Sequence, residues 1–253
     1  MSTTTSNASL LPPATSNAPI NAPRLSSSRH HGPHPGALAI VYTVLFAASL
    51  VSFGILSQGA EFPRPFGLST TAQDTFLKFP EAVRINAFFQ FACAIPLGLF
   101  TAALTSKLSF LGVKATGVSI ALFGGIAASL FFMLSGICSW VLSQPGIAND
   151  LSVMRAIQVV GFGSGGIAFT AGLGLLMAGI SVPCLFSGYA PKWVAWLGLV
   201  LAGIAELSTL ALVIPQASLL LPIVRFPSMI WMLAMGFSFQ ANLPAKNQAN
   251  LRD

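Results

Sequence analysis

Charged side chains are scarce in this chain: 6 Asp and Glu and 12 Lys and Arg among 253 residues. Two of them sit where chemistry would be least expected, in the stretch 188–231, which sets Glu206 inside a hydrophobic run and Arg225 in a proline-bounded segment after it. An ionisable group in a membrane span costs roughly 2.5–3.5 kcal/mol on insertion scales, and it usually faces the bundle interior and marks a pathway or an ion pair. Glu206 follows Trp193 by 13 residues, which places it about 20 Å along a helix axis and roughly 10 Å from the far interface. Two readings stand beside each other. The carboxylate is a proton- or cation-responsive group, or it is held neutral or ion-paired purely for structure.

Familiar catalytic chemistries find few residues to work with. All three histidines lie at positions 30, 31 and 34, so no apolar run holds a Ser-His dyad or a histidine-ligated haem. No span contains an aspartate, and every lysine falls at a helix end, where snorkelling explains it. The nucleophile elbow G-x-S-x-G is missing, because Phe162 stands two before Ser164. Gly161-Phe162-Gly163-Ser164-Gly165-Gly166 satisfies G-x-G-x-x-G, yet a dinucleotide site needs a preceding strand and an aqueous turn. Here the glycines lie within an apolar run, and helix packing is the reading. His30, His31 and His34 could hold a transition metal, but they have no acidic or cysteine co-ligand and read as a polar juxtamembrane patch. Cys93, Cys138 and Cys184 lie inside or at the edge of apolar runs without C-x-x-C spacing, as small packing residues do. The expectation is a chain without catalytic residues, metal or cofactor.

The elements that must position Glu206 and Arg225 follow from composition. The sequence is 54% hydrophobic and 7% charged, against about 25% charged in an average soluble domain. Too few charges remain to build a water-facing surface, so lipid is the solvent. The basic residues are scattered between apolar runs rather than clustered with aromatics, which sets nucleic acid aside and makes them topology signals. Residues 1–36, rich in Ser, Thr, Asn, Ala and Pro, cannot bury enough surface to fold and read as a disordered tail. Residues 37–240 form a transmembrane domain of six spans: 37–57, 83–106, 115–143, 156–186, 192–214 and a sixth beginning near Phe226 or near Ser218 and ending at Phe239 or Gln240. The first five, and the sixth if it starts near Ser218, exceed the roughly 20 residues needed to cross a hydrocarbon core. A short surface helix fits residues 70–79, before Pro80, and residues 241–253 are a short polar tail.

Two patterns go further. In the third span Gly117, Ala121, Gly124, Ala128 and, after Phe131, Ser135, and in the fourth Gly161, Gly165, Ala168, Gly172 and, after Leu175, Gly179, follow alternating steps of four and three. That period keeps small residues on one face, where helix backbones in a membrane approach closely, so the two spans are expected to pack along these seams. Secondly, with both termini inside, the inner segments carry Arg24, Arg29, Lys107, Lys114, Lys192, Lys246 and Arg252, against Arg64, Lys78, Arg84, Arg155 and Arg225 outside. Seven basic residues to five favour cytoplasmic termini. Arg84, Arg155 and Arg225 then stand at the outer starts of even-numbered spans, with Asn86, Gln90 and Gln158 just below them and Glu206 at a similar depth. Seven polar groups at one level predict a shared polar cavity in which Glu206 pairs with an arginine.

The run Gly188-Tyr189-Ala190-Pro191-Lys192-Trp193-Val194-Ala195-Trp196-Leu197-Gly198, set between small-residue-rich spans, resembles the turn joining two late helices in a family of bacterial integral membrane proteins known only as a domain of unknown function. The likeness covers about residues 37–240. It implies six spans and a bacterial inner membrane, and brings no activity, cofactor or catalytic residue. The sequence thus predicts an all-α, polytopic six-helix bundle in which no enzyme activity is expected. Its partners are the lipid bilayer and either another membrane protein or a second copy of the chain. It would act as a sensory, regulatory or partner-binding protein. The alternative is a small transporter or permease using Glu206.

Overall fold

The computed structural model describes residues 32–63 and 69–241. Most of the two expected tails, Arg64 and the basic residues Arg24, Arg29, Lys246 and Arg252 lie outside the described residues. So do His30 and His31, while His34 caps the first helix and accepts a hydrogen bond from the Ala37 amide at 3.3 Å.

The described residues are helical, without a strand, and six helices are long and apolar enough to cross a membrane. The chain is a multi-pass membrane protein. Helix α1 is Pro35–Leu56, α2 the short Ser69–Lys78, α3 Pro80–Phe110 and α4 Thr116–Leu142. The fourth span is one continuous rod made of α5 (Leu151–Phe162), a π-helical segment (Gly163–Ala168) and α6 (Phe169–Ser187); α7 (Lys192–Ser208) and α8 (Leu220–Ala241) complete the set. Proline and capping chemistry set the boundaries. Pro35 and Pro80 open helices whose first N–H groups have no intrahelical partner anyway. Asp150 caps α5, its carboxylate accepting from the Ser152 and Val153 amides at 2.8 and 3.1 Å. Gly188 ends α6 at φ +70°, a left-handed conformation that suits glycine. Three limits differ from the hydropathy reading. Helix α3 runs on to Phe110 and takes in Lys107, which is buried; α7 stops at Ser208 and continues only as a 3-10 turn, Thr209–Leu212. The fourth span opens at Leu151 rather than at 156. The last span begins with a 3-10 turn at Pro215–Leu219, which agrees with the earlier of its two expected starts, near Ser218, and Arg225 lies inside α8.

Each span packs on the next, α1 on α3, α3 on α4, α4 on the α5–α6 rod, α6 on α7 and α7 on α8, and α8 returns to α1. The result is a closed ring. The small-residue seams form the wall between α4 and α6. A Cβ added to Gly172 would stand 2.7 Å from the Gly124 carbonyl oxygen and 2.8 Å from the Ala128 nitrogen, and one added to Gly179 2.6 Å from the Ala121 nitrogen. The expected pairing of α4 with α6 is therefore backbone against backbone. The opposite face of α4 grips α3, where the Ser129 hydroxyl donates to the Ala94 carbonyl at 2.7 Å and Gly136 sits 3.2 Å, measured to an added Cβ, from the Ala87 carbonyl oxygen. At the end that carries the α7–α8 turn, α2 lies across the bundle. Gln73 Nε2 donates to the Ala148 carbonyl at 2.8 Å, and Phe76 packs with Phe53, Val83, Leu142 and Met154.

Candidate functional site: an intramembrane vestibule ending at Arg225

The ring is filled in one half and hollow in the other. In the filled half Trp231 and Phe100 meet edge to face, ring centroids 6.5 Å apart, among Leu97, Leu104 and Met232, all fully buried. The hollow half holds a cavity of about 1050 Å³, bounded by the end of α1, the α1–α2 connection, the start of α3, the end of α4, the α5 and π segments and the start of α8. Helix α7 contributes nothing to it.

Arg225 lies at the floor. A wide π turn loosens the regular hydrogen-bond ladder and is frequent at functional sites; here the Gly165 carbonyl within it accepts from Arg225 Nη2. Three phenyl rings surround the guanidinium, those of Phe169, Phe132 and Phe46, with centroids 5.0, 5.4 and 5.8 Å from Cζ. Phe132 and Phe169 are themselves in contact at 4.7 Å, and Phe226 meets Phe46 edge on at 6.2 Å. Guanidinium over ring faces is a favourable geometry, contributing about 0.5–2 kcal/mol according to exposure. No carboxylate among the described residues lies within ion-pair distance of Arg225, and its Nε is buried without a hydrogen-bond partner.

Higher on the walls stand the amides. Asn86 is 2% exposed and Gln158 6%; with Gln90 they line the cavity, and each has a buried side-chain atom without a partner. Asn86 and Gln90 fall one turn apart on α3 and present the same face. Gln158 Oε1 accepts from Arg155 Nη1 at 3.1 Å, which leaves its Nε2 free. Ser135 and Ser139 of α4, and Gln216 and Ser218 of the turn before α8, add hydroxyl and amide groups, and Glu61 lies at the α1–α2 connection. Among the described residues no three His, Cys, Asp or Glu side chains group where a metal would sit.

Of the seven polar groups expected at one level, Asn86, Gln90, Gln158 and Arg225 border this one cavity. Arg155 reaches it only through Gln158. Arg84 is exposed on the first turns of α3, and Glu206 is exposed in the last turn of α7, off the cavity and without an ion pair to any of the three arginines. Its α-helix ends at Ser208, and the carboxylate stands six residues before the end of the span at Leu212, on the outer face of the bundle. The phenyl cage and the Gly165 carbonyl were not foreseeable. With 20 Phe in the chain, nothing in their spacing tells which three converge, and the glycine run reads equally well as α-helix.

Comparison of the chain with protein-family models, with curated proteins and with solved structures found no match in any of the three.

Proposed function

We propose that this chain is a membrane-embedded binding protein, sensory or regulatory in kind, that takes a small molecule into the vestibule above Arg225. One observation carries the reading: Asn86 and Gln158, nearly fully buried and each with an unpaired amide atom, line a cavity of about 1050 Å³. Leaving a buried polar group unpaired costs about 1–3 kcal/mol. Several such groups around one space are best accounted for by a ligand that pairs with them, and the volume matches that of small-molecule sites. A second membrane protein or a second copy would receive the signal. The setting we propose is a bacterial inner membrane with both termini in the cytoplasm, on the excess of inner Lys and Arg. The vestibule then faces outward. Transport through Glu206 is the competing reading, and it has less support, since that side chain is off the cavity and Trp231, Phe100 and Leu97 fill the ring beneath Arg225.

Extraction of the protein together with its native lipids, followed by mass spectrometry under non-denaturing conditions, tests this. A small molecule should be retained in a one-to-one complex and be lost in Ser139→Trp, which puts a bulky ring into the vestibule. An empty protein that instead carries a pH-dependent solute flux in proteoliposomes, abolished by Glu206→Gln, would overturn the reading in favour of transport.

A further inference from the structure

The walls, floor and side of the vestibule together specify a ligand class. Resting on the binding function proposed above, we infer that the vestibule takes an amphipathic organic anion, a carboxylate on a hydrocarbon body, which reaches it from the bilayer between α1 and α8.

The charge follows from the floor. Arg225 is a permanent cation held among three phenyl rings, bonded to a neutral carbonyl, with a buried Nε that has no acceptor. Carbonyl and ring faces soften the charge but do not neutralise it. Glu61, the only carboxylate among the described lining residues, belongs to the connection at the opposite end of the vestibule. A carboxylate is a planar acceptor that matches the guanidinium fork, and Gln158 Nε2 on the same walls is a second free donor. A cationic ligand would place like charges together in a medium of low dielectric.

The hydrocarbon body follows from the walls and the side. Between floor and mouth the surface is mainly apolar, with Phe53, Phe162 and Leu221 facing the space beside the amides. Leu50 and Phe226 border the cavity and yet are 45% and 50% exposed. Both lie at span depth, one on α1 and one on α8, and a side chain that faces a cavity and the outside at the same depth marks an opening toward lipid. The two helices close the ring elsewhere. Towards the other end Gly236 approaches the Gly36 backbone, 2.8 Å from an added Cβ to Cα, and at mid-depth Phe46 meets Phe226. Beyond that contact Leu50 and Pro222 border the gap.

The test uses the full-length protein in phosphatidylcholine nanodiscs and dodecanoate bearing a photoreactive diazirine, with labelled peptides read by mass spectrometry. Label should fall on lining segments of α1, α4 and α8. Unlabelled dodecanoate should displace it at least tenfold better than 1-dodecanol or acetate. Arg225→Met should lower labelling at least tenfold, and Arg225→Lys, which keeps the charge and guards against misfolding, should lower it less. Leu50→Trp should slow labelling while leaving the charge in place. If dodecanol competes as well as dodecanoate, or Arg225→Met labels like the parent, the anion assignment is wrong while the vestibule remains a binding site. Equal competition by acetate removes the hydrocarbon requirement. Label spread evenly over the lipid-facing surface and unaffected by Ser139→Trp would sink both this inference and the binding function beneath it.

Discussion

Arg225 and Glu206 look alike in the sequence, each a lone charge in an apolar run, and differ completely in their surroundings. Arg225 is enclosed by Phe46, Phe132, Phe169 and the Gly165 carbonyl, whereas Glu206 is exposed and makes no ion pair with an arginine. Substitutions should separate them. Glu206→Gln is expected to change unfolding free energy by no more than about 0.5 kcal/mol, as exposed positions do, measured by denaturation in mixed micelles. Arg225→Met leaves the Gly165 carbonyl without its donor, a loss of about 1–3 kcal/mol, set against relief from holding a buried charge. The net change should therefore be small beside the tenfold or greater loss of dodecanoate labelling, and a collapse of folding would show that Arg225 is structural. What the sequence made visible was that polar groups such as Asn86, Gln90, Gln158 and Arg225 stand within apolar runs. Which of them share a space depends on helix rotation about the axis, and uniformly hydrophobic spans carry almost no amphipathic signal to fix that angle.

Among the elements, the boundary at Pro80 and the turn at Gly188 were readable, through a missing donor and a positive φ. The starts at Pro35 and after Asp150 were not, because hydropathy opens those spans at 37 and 156 and overlooks the proline and the capping carboxylate. The α4–α6 pairing was readable for a related reason, since lipid offers apolar side chains no incentive to associate and close backbone contact needs small residues. Gly172→Leu should cost about 1–3 kcal/mol by overpacking against Gly124 and Ala128, while the same change at Gly54, which has open space around it, should cost far less. Both are measurable as shifts in detergent-unfolding midpoint. Asp150→Ala, which removes the two acceptor contacts at the start of α5, should cost about 1 kcal/mol. Less legible was Gly163–Ala168, where a π turn replaces α geometry. Glycine and serine favour neither geometry, so tertiary contacts decide.

At the scale of the whole molecule, ring closure is what makes a vestibule: six spans packed in sequence order leave a central space that only large side chains can fill, and Trp231 and Phe100 fill just half of it. Hydropathy foretells the number of spans but not whether the last returns to the first. Because Cys93, Cys138 and Cys184 are all buried, single cysteines can report the proposed orientation. Gln216→Cys should react with a membrane-impermeant maleimide added outside intact cells and Lys114→Cys should not; the opposite pattern would reverse the topology. The π segment adds a mechanical property to this ring. It holds one residue more than an α turn would, so tightening it to α pitch would twist α5 by roughly 100° against α6, like a screw turned by a single thread. Such a twist would carry Gln158, with the Arg155 bonded to it, away from the cavity wall and swing Asp150 with the α4–α5 connection, converting a change at the Arg225–Gly165 contact into a rotation at that end of the bundle.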